Sequence, residues 1–377
     1  MSKTGPRRAP ARRCWGALRD DLLVVIPAWL IARLLVVASY VAARVVSDRF
    51  GASPAPLADG LLAWDGAWYR DIAQLGYGRL DREGVRFFPG FPLLGRIIGG
   101  PLDRQGVALV LIANLAALAL GVLVLRLMRI EGRSRAAAVR AVWLTMLFPS
   151  AFVLVWGYAE ALMLAAAVGV FVALRTRRPW VATVGGLVAG ICRPVGVVLV
   201  MPAAIEVARS WSRWSSRERA GGLVAVASPF IGASLYGWWV WARYGDPLLP
   251  FTVQEELRGQ AVNPLVRMWE GLGDLVGVER FGQGLHLPFA ALFVVLLVLT
   301  FRRWPISYGL YAMAVLALAL GAENLNSLER YGLNAFPLVL TLALYTTDER
   351  VERAVLSISA AGFVLLATLA WLGAYVP

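Results

Sequence analysis

Long apolar runs alternate with short arginine-rich connections along most of the chain. A helical run of about 20 apolar residues spans the hydrocarbon core of a bilayer, so the longer runs predict transmembrane helices. Nine full crossings are predicted, at residues 22–46, 107–128, 136–155, 158–174, 221–241, 287–301, 306–320, 333–345 and 356–371. The pattern therefore predicts an all-α polytopic membrane protein.

The segment 180–207 breaks this alternation, because the arginine-rich connections on both sides of it belong on the same side of the membrane. The segment must then cross an even number of times. Arg193 and Pro194 divide it into halves that are short for a full crossing, and a proline ends or kinks a helix. We therefore predict a hairpin of two short helices, with Arg193 at its tip facing a cavity lined by protein.

Composition and charge narrow the class further. Of the 377 residues, 59% are hydrophobic and 16% are charged, and the mean hydropathy is +0.65, which excludes a water-soluble globule. The net charge of +13 would suit a nucleic-acid-binding protein, but the arginines concentrate in the short connections, as they do in cytoplasmic loops. We therefore expect membrane lipids and no nucleic acid as partners. Two cysteines and a single histidine, His286, predict neither a structural disulfide nor a zinc site of nitrogen and sulfur ligands.

The predicted topology gives a basic cytoplasmic tail, 1–21, and one membrane domain, 22–377, in the plasma membrane. Its two large outer loops are 47–104 and 244–286, and the first holds most of the candidate chemistry. Apart from the basic inner connections, nearly all polar side chains fall on the outer face: Asp65, Asp71, Glu83, Glu160, Arg193, Gln254, Glu255, Glu323, Asn326, Glu329 and Arg330. Ionisable groups near membrane depth are functional candidates, so one shared face predicts one extracytoplasmic site.

The first outer loop contains the stretch AWDGAWYRDIAQLGYGRLDREGVRFFPGFP at 63–92. Its apolar and aromatic positions recur at spacings of three and four, which predicts a short helix over 64–75 lying on the membrane surface. Asp65 and Tyr69 share one face of that helix. Asp65 can cap the helix or take part in chemistry, and the pattern leaves both roles open. Asp71 is expected to be solvated or to cap a helix.

Three further charged residues are candidates for the same site. Glu160, at the start of the fourth predicted helix, is either an acid favoured by the helix dipole or a functional group. Arg193 at membrane depth requires an anion, and a lipid-linked phosphate suits a guanidinium because both can form paired hydrogen bonds. Arg330 is either a second phosphate contact or the partner of Glu329 or Glu323.

Five motifs occur in one order along the chain: WDGAWYRDIAQLGYG with RFFPGFPLL, FPSAFVLVWGYAEALML, CRPVGVVLVMP, YGDPLLPFTVQ and SLERYGLNAFPL. Together they resemble the class C glycosyltransferases (GT-C), and specifically bacterial members of the GPI mannosyltransferase II (PIG-V type) family. The chain departs from the family pattern at three places. Ala159 stands where serine is usual, Asn334 stands where proline is common, and no tryptophan follows Gln254 at the usual short distance.

The resemblance implies a GT-C-like helical bundle and an inverting transfer of mannose from polyprenyl-phosphate-mannose to a lipid or glycan acceptor, with the first-loop aspartate essential. On this interpretation Asp65 is the general base that takes the acceptor's hydroxyl proton. Arg193 and Arg330 are expected to bind the donor's phosphate. Five more residues are expected to contact substrate or to hold a divalent cation, Mg²⁺ or Mn²⁺: Glu160, Glu83, Tyr69, Gln254 and Tyr331. The sequence leaves the participation of a metal open.

A transporter or flippase of a lipid-linked substrate is the alternative, because such proteins also contain broken helices with charged residues at mid-membrane. That class would show internal repeats and polar clusters on both faces of the membrane. The sequence shows no repeat and no inner-face cluster other than arginine. The transferase is therefore the favoured interpretation.

Overall fold

The computed structural model describes residues 10–259, 262–263, 266, 283–321 and 324–377. Within these ranges the chain folds into helices, and no strand occurs there. The α-helices, in chain order, are α1 (Pro10–Phe50), α2 (Ala55–Asp59), α3 (Asp65–Leu75), α4 (Gly90–Gly99), α5 (Gln105–Ile130), α6 (Arg135–Leu147), α7 (Glu160–Arg175), α8 (Pro179–Cys192), α9 (Val200–Ser210), α10 (Ser216–Tyr244), α11 (Leu249–Arg258), α12 (Leu287–Arg303), α13 (Ile306–Leu320), α14 (Leu328–Asn334), α15 (Phe336–Tyr345) and α16 (Glu349–Trp371). The prediction of an all-α fold is confirmed.

Six helical segments of the described ranges are long and apolar enough to cross a membrane: Gly16–Phe50, Gln105–Ile130, Pro194–Arg213, Ser216–Tyr244, Gly284–Arg303 and Glu349–Trp371. Five of them coincide with predicted full crossings, and the sixth is the second half of the predicted hairpin. The remaining four predicted crossings, at 136–155, 158–174, 306–320 and 333–345, correspond to the shorter helices α6, α7, α13 and α15. The number of full crossings, nine, is therefore not confirmed and stays a prediction.

The predicted crossing at 136–155 is interrupted for a local reason. Phe148 precedes Pro149, and a residue before proline is driven out of the helical region. Phe148 accordingly has φ −53° and ψ 144°, and α6 ends at Leu147. The irregular stretch that follows, 148–159, is almost wholly buried among the other helices. Irregular backbone inside a membrane bundle is tolerated where protein surrounds it, so this stretch can form part of the bundle's interior.

The hairpin is present where the sequence predicts it. Arg193 adopts an extended conformation before Pro194, and a 3₁₀ turn, Pro194–Leu199, leads into α9. The two ends lie side by side, because Arg177 donates to the carbonyl oxygen of Arg213 at 2.8 Å. Helix α8 also packs very closely on α10, since a Cβ at Gly190 would overlap the backbone of Pro229. The hairpin is therefore a rigid support for Arg193.

Arg33, midway along α1, finds neutral partners in α5 and in its own helix. Its guanidinium donates to the Oδ1 of Asn114 at 2.8 Å and to the carbonyl oxygen of Trp29 at 2.9 Å. It also lies 4.0 Å from the centre of the Trp29 ring. A cation–π contact and two hydrogen bonds thus engage the guanidinium, which has no ion pair with a described acid and whose buried Nη2 lacks a partner there, and the bond to Asn114 fastens α1 to α5.

A second polar group lies at the far end of α5, which is about 39 Å long at 1.5 Å per residue. We call it the Glu131 cluster; its members are Glu131, Arg175, Glu206, Ser307 and Tyr308. Arg175 lies 2.8 Å from a carboxylate oxygen of Glu131 and 3.4 Å from one of Glu206. Tyr308 donates to Glu131 at 2.9 Å, and Ser307 donates to Glu206. The expectation that this end carries no polar cluster other than arginine is wrong, because its acids, one at the end of α5 and one within α9, are far apart in the sequence and meet only in the fold.

The first predicted outer loop folds against the bundle. Helix α3 buries Tyr69, Ile72 and Ala73 in the core and packs on α4 and α5. Its apolar stripe therefore faces protein, and its position at the membrane surface stays a prediction. Of the second predicted outer loop, 244–286, the structure describes α11 and a few residues besides, and most of 260–282 lies outside the described residues, as do residues 1–9 of the predicted tail.

Candidate active site

A polar cavity of about 290 Å³ lies between α3, the hairpin tip, α11 and α14. Six of the predicted site residues line it: Asp65, Tyr69, Arg193, Gln254, Arg330 and Tyr331. They come from four separate parts of the chain, so the structure brings together residues that the sequence could only place on one face. Burial raises the pKa of the Tyr69 phenol, which therefore stays a neutral hydrogen-bond donor to the cavity.

Asp65 is the first residue of α3 and does not cap it. The cap position belongs to Trp64, whose backbone has φ 57° and ψ −119°, a strained combination for a residue with a side chain. The Trp64 indole donates to the carbonyl oxygen of Ala370 at 2.9 Å, which holds this turn. The backbone N–H of Asp65 donates to the Tyr158 hydroxyl at 3.2 Å. Asp65 therefore does not cap α3, and its side chain lines the cavity.

Asp65 belongs to a chain of charged contacts that we call the Asp65 network: Asp65, Arg330, Glu160 and Arg193. Arg330 Nη1 lies 2.6 Å from Asp65 Oδ2 and 3.2 Å from Glu160 Oε1. Arg193 Nη1 also contacts Glu160 Oε1. Such pairing is what allows charged groups to be buried, and here each carboxylate has at least one guanidinium.

Exposure separates the roles within the Asp65 network. The Asp65 side chain is 21% exposed and faces the cavity, whereas that of Glu160 is 0% exposed and does not line it. Glu160 stands behind Arg193 and Arg330 and holds both. It contacts both arginines and does not line the cavity, so its expected contact with substrate or metal stays a prediction.

The charges around Asp65 set its protonation. Burial alone would raise the pKa of Asp65, but the guanidinium groups of Arg330, Arg86 and Arg193 outweigh burial and lower it below its ordinary value. Asp65 is consequently a carboxylate at neutral pH. In the resting site it is also a weak base, because its negative charge is already stabilised by Arg330.

Arg86 is a site residue that sequence reasoning missed. It lines the cavity, and its guanidinium lies 4.6 Å from the centre of the Phe87 ring. No described acidic residue forms an ion pair with it, and its buried Nε has no hydrogen-bond partner there. The sequence signal was weak, because Arg86 shares its loop with Arg70 and Arg82, which pair with Asp71 and Glu256 outside the cavity.

Other predicted residues lie elsewhere. Glu83 is exposed on a 3₁₀ turn and does not line the cavity, so in this structure it does not share a cation with Asp65. Asp71 is half-buried and pairs with Arg70, and Glu255 is exposed. Glu323 lies outside the described residues. Over the ranges that the structure describes, no three His, Cys, Asp or Glu side chains are grouped as a metal site.

A buried group of residues, which the sequence did not reveal, holds the start of α14, the helix that carries Arg330. Glu329 accepts from the Tyr375 hydroxyl at 2.8 Å and lies 2.8 Å from His286 Nδ1. The Ser150 hydroxyl donates to the Glu329 carbonyl oxygen at 2.8 Å. Glu329 is therefore committed to these partners, and the pairing with Glu329 that was one alternative for Arg330 does not occur. The group fixes the start of α14, from which Arg330 reaches Asp65.

An apolar groove of about 580 Å³ adjoins the polar cavity. It runs between the turn after Arg193, α10, α11 and α13, and its walls include Val197, Phe230, Trp238, Leu248 and Leu318. Pro194 and Phe251 line both spaces. A molecule with a polar head and a long apolar tail could thus occupy the cavity and the groove together.

Comparisons with known proteins place the chain at a distance from all of them. No model of a known protein family matches the sequence, and no curated protein matches it. The solved structures similar to it include the Archaeoglobus fulgidus oligosaccharyltransferase tethered with an acceptor peptide through a disulfide bond, with a TM-score of 0.47 and 14% identity over 93% of this chain and 55% of that one. The same enzyme in complex with Zn and sulfate gives a TM-score of 0.42 and 14% identity over 77% and 45% of the two chains. The chain thus spans about half the length of these neighbours, and its membership of the PIG-V type family stays a prediction.

Proposed function

We propose that the chain is an integral membrane glycosyltransferase that transfers a sugar from a polyprenyl-phosphate donor to the hydroxyl of a lipid or glycan acceptor. The observation that carries the proposal is the junction of two spaces at Pro194 and Phe251. A cavity lined by a carboxylate and guanidinium groups suits a sugar and a phosphate. The adjoining apolar groove suits a polyprenyl chain that stays in the bilayer. Mannose as the sugar rests on the family resemblance, as does the extracytoplasmic location of the site in the plasma membrane.

In the proposed reaction, Asp65 accepts the proton of the acceptor hydroxyl while that oxygen attacks the anomeric carbon. The bond between that carbon and the phosphate oxygen breaks in the same displacement, so the anomeric configuration is inverted, as in glycosidases that use one displacement. Guanidinium groups aimed at the phosphate stabilise the charge that grows on the leaving oxygen. Arg193 and Arg330 line the cavity and can serve this purpose.

The ion pair between Asp65 and Arg330 gives this mechanism an order of events. While Arg330 donates to Asp65 at 2.6 Å, the carboxylate is a poor base. A donor phosphate that takes over hydrogen bonds from Arg330 would leave Asp65 with less stabilisation and so make it more basic. The donor would therefore prepare the base before the acceptor reacts.

The remaining cavity residues suit recognition of a sugar. Tyr69 and Tyr331 offer hydroxyl groups and aromatic faces, and Gln254 offers an amide that can both donate and accept. A divalent cation could assist the leaving phosphate, but of the two acids proposed to share it with Asp65, Glu83 lies outside the cavity and Glu160 is bound to two arginines. The proposed chemistry therefore runs through the arginines.

A transporter or flippase of the same lipid-linked substrate is the second candidate, and one observation favours it. The Glu131 cluster lies at the end of α5 opposite the Asp65 network, so ionised groups occupy both ends of the bundle. Both acids there are already bound to Arg175.

The deciding experiment incubates the purified chain in lipid nanodiscs with radiolabelled polyprenyl-phosphate-mannose and a panel of lipid, glycan and peptide acceptors. A transferase yields a labelled acceptor, and Asp65→Asn yields none. Asp71→Asn is the matched control, because Asp71 lies on the same helix outside the cavity. Movement of the donor across liposomes without any labelled acceptor would instead establish the transporter.

A further inference from the structure

We propose that Arg86 is the principal ligand of the donor's phosphate, an assignment that rests on the proposed function. Three arginines line the cavity, and their partners differ. Arg193 and Arg330 already contact carboxylates of the Asp65 network. Arg86 has no ion pair with any described acid. An incoming phosphate must compete with a carboxylate at the first two arginines, and it meets no such competitor among the described residues at Arg86.

The backbone on both sides of Arg86 is fixed, so its guanidinium is held ready for a ligand. The Tyr236 hydroxyl donates to the carbonyl oxygen of Val85 at 2.6 Å, and the Tyr77 hydroxyl donates to that of Phe87 at 2.6 Å. These two tyrosines come from different elements, α10 and the turn after α3. A binding group held in this way loses little conformational entropy when its ligand arrives.

Phe87 keeps the Arg86 side chain in the cavity. The guanidinium lies over the Phe87 ring, which stacks on Trp68 at 5.7 Å and meets Tyr69 edge-on at 5.3 Å. Trp68 and Tyr69 also line the cavity. The aromatic face leaves the N–H groups of Arg86 available, because a cation–π contact uses the face of the guanidinium and not its edge.

The position of Arg86 also matches where a lipid phosphate must lie. In a polyprenyl-phosphate sugar the phosphate joins the polar sugar to the apolar chain, so its ligand belongs where cavity and groove meet. Phe88, two residues after Arg86, packs on Phe251 with ring centres 6.4 Å apart. Phe251 lines both the cavity and the groove. The segment that carries Arg86 therefore borders the junction.

The test measures binding and kinetics of the full chain in nanodiscs with two probes, polyprenyl phosphate and polyprenol, which differ only in the phosphate. The native chain should bind polyprenyl phosphate more tightly, and Arg86→Gln should remove most of that preference, roughly ten- to a hundredfold in donor KM, since a hydrogen bond to a charged group is lost. Arg86→Lys should retain part of it, because the charge stays and the paired geometry is lost. Acceptor KM should change little.

Arg79→Gln is the control, because Arg79 is exposed in the same loop and does not line the cavity. If Arg86→Gln and Arg86→Lys keep the native preference for polyprenyl phosphate while transfer proceeds normally, the assignment of Arg86 is wrong and the proposed function stands. If the native chain binds polyprenyl phosphate through Arg86 but never transfers sugar, the assignment stands and the transferase proposal is wrong. Equal binding of polyprenol and polyprenyl phosphate by the native chain would overturn the assignment directly.

Discussion

The Asp65 network and the Glu131 cluster are built from the same groups, acids bound to arginines among apolar helices. They differ in whether they line the polar cavity and in the number of arginines near their acids. In the Glu131 cluster two acids share Arg175, Glu206 also lies 3.5 Å from the exposed side chain of Arg209, and Tyr308 and Ser307 donate to the acids. In the Asp65 network two acids meet two arginines at the wall of a cavity, and Arg86 adds a third positive charge without a described acidic partner.

The comparison shows how a charge cluster suited to a reaction differs from one suited to holding helices together. Ionised groups inside an apolar bundle are not informative by themselves, because both clusters contain them. The Asp65 network differs in having a partly exposed carboxylate near a guanidinium that has no ion pair with a described acid. A reaction of an anionic substrate requires such a base and such an anion-binding group. Each of the following changes alters one side of this comparison.

The largest effect is expected from Asp65→Asn. The change removes the proposed base and keeps the shape of the side chain, so transfer should fall by about 10² to 10⁴-fold, the usual contribution of general-base catalysis. Sugar transfer in nanodiscs measures it, with Asp71→Asn as the control that should retain native activity. A rate for Asp65→Asn within about tenfold of native would mean that the base lies elsewhere.

The next largest effect is expected from replacing one buried acid in each cluster. Glu160→Gln should destabilise the fold by about 3–5 kcal/mol, because Arg193 loses its buried carboxylate partner. Glu206→Gln should cost less, because Arg175 keeps Glu131 at 2.8 Å. Unfolding monitored in detergent measures both. Only Glu160→Gln should also reduce transfer among the molecules that remain folded, since Arg193 loses its carboxylate partner and Arg330 keeps only Asp65. Equal loss of transfer in the two variants would contradict a separation of roles.

The third change tests how Arg330 controls the base. The pKa of Asp65 is lowered chiefly by Arg330 against the effect of burial, so the loss of kcat/KM at acid pH should begin below the ordinary range of an aspartate. Arg330→Gln removes that stabilisation of the carboxylate, so the acid limb should move to higher pH while the maximal rate falls. A pH profile of kcat/KM measures both, with Arg79→Gln as the control. An acid limb that stays in place would show that Arg330 does not set the protonation of Asp65.

Apolar periodicity predicted the helices well where they are long and uninterrupted, as in α1, α5 and α10. It failed where the chain breaks inside the bundle, since an apolar run such as 136–155 looks the same whether it is one helix or a helix followed by a buried irregular stretch. The local signal was Pro149, whose effect on Phe148 ends the helix. The packing of α3 against the bundle was not predicted for a related reason: a stripe of apolar side chains does not distinguish a lipid surface from a protein core.

The residues of the site were easier to find than their partners. Asp65, Arg193 and Arg330 stood out because charge is costly in an apolar chain. Which acid would meet which arginine depends on distances across the fold. Glu329 and Glu323 were the acids considered as partners for Arg330, which instead reaches Asp65, 265 residues away. Arg86 was overlooked because, in a loop with several other arginines, its lack of a described acidic partner is a property of the folded chain alone.

The smallest effect is expected from Tyr308→Phe, which removes one hydroxyl from the Glu131 cluster. The hydrogen bond to Glu131 is lost, but Arg175 still neutralises that carboxylate at 2.8 Å. The cost should therefore be about 1 kcal/mol of stability, the usual net contribution of one hydrogen bond. Sugar transfer should stay within about twofold of native if the Glu131 cluster only holds helices together. A tenfold or larger loss of transfer, or a change in donor movement across liposomes without a change in stability, would give the Glu131 cluster a part in the function and favour the transporter.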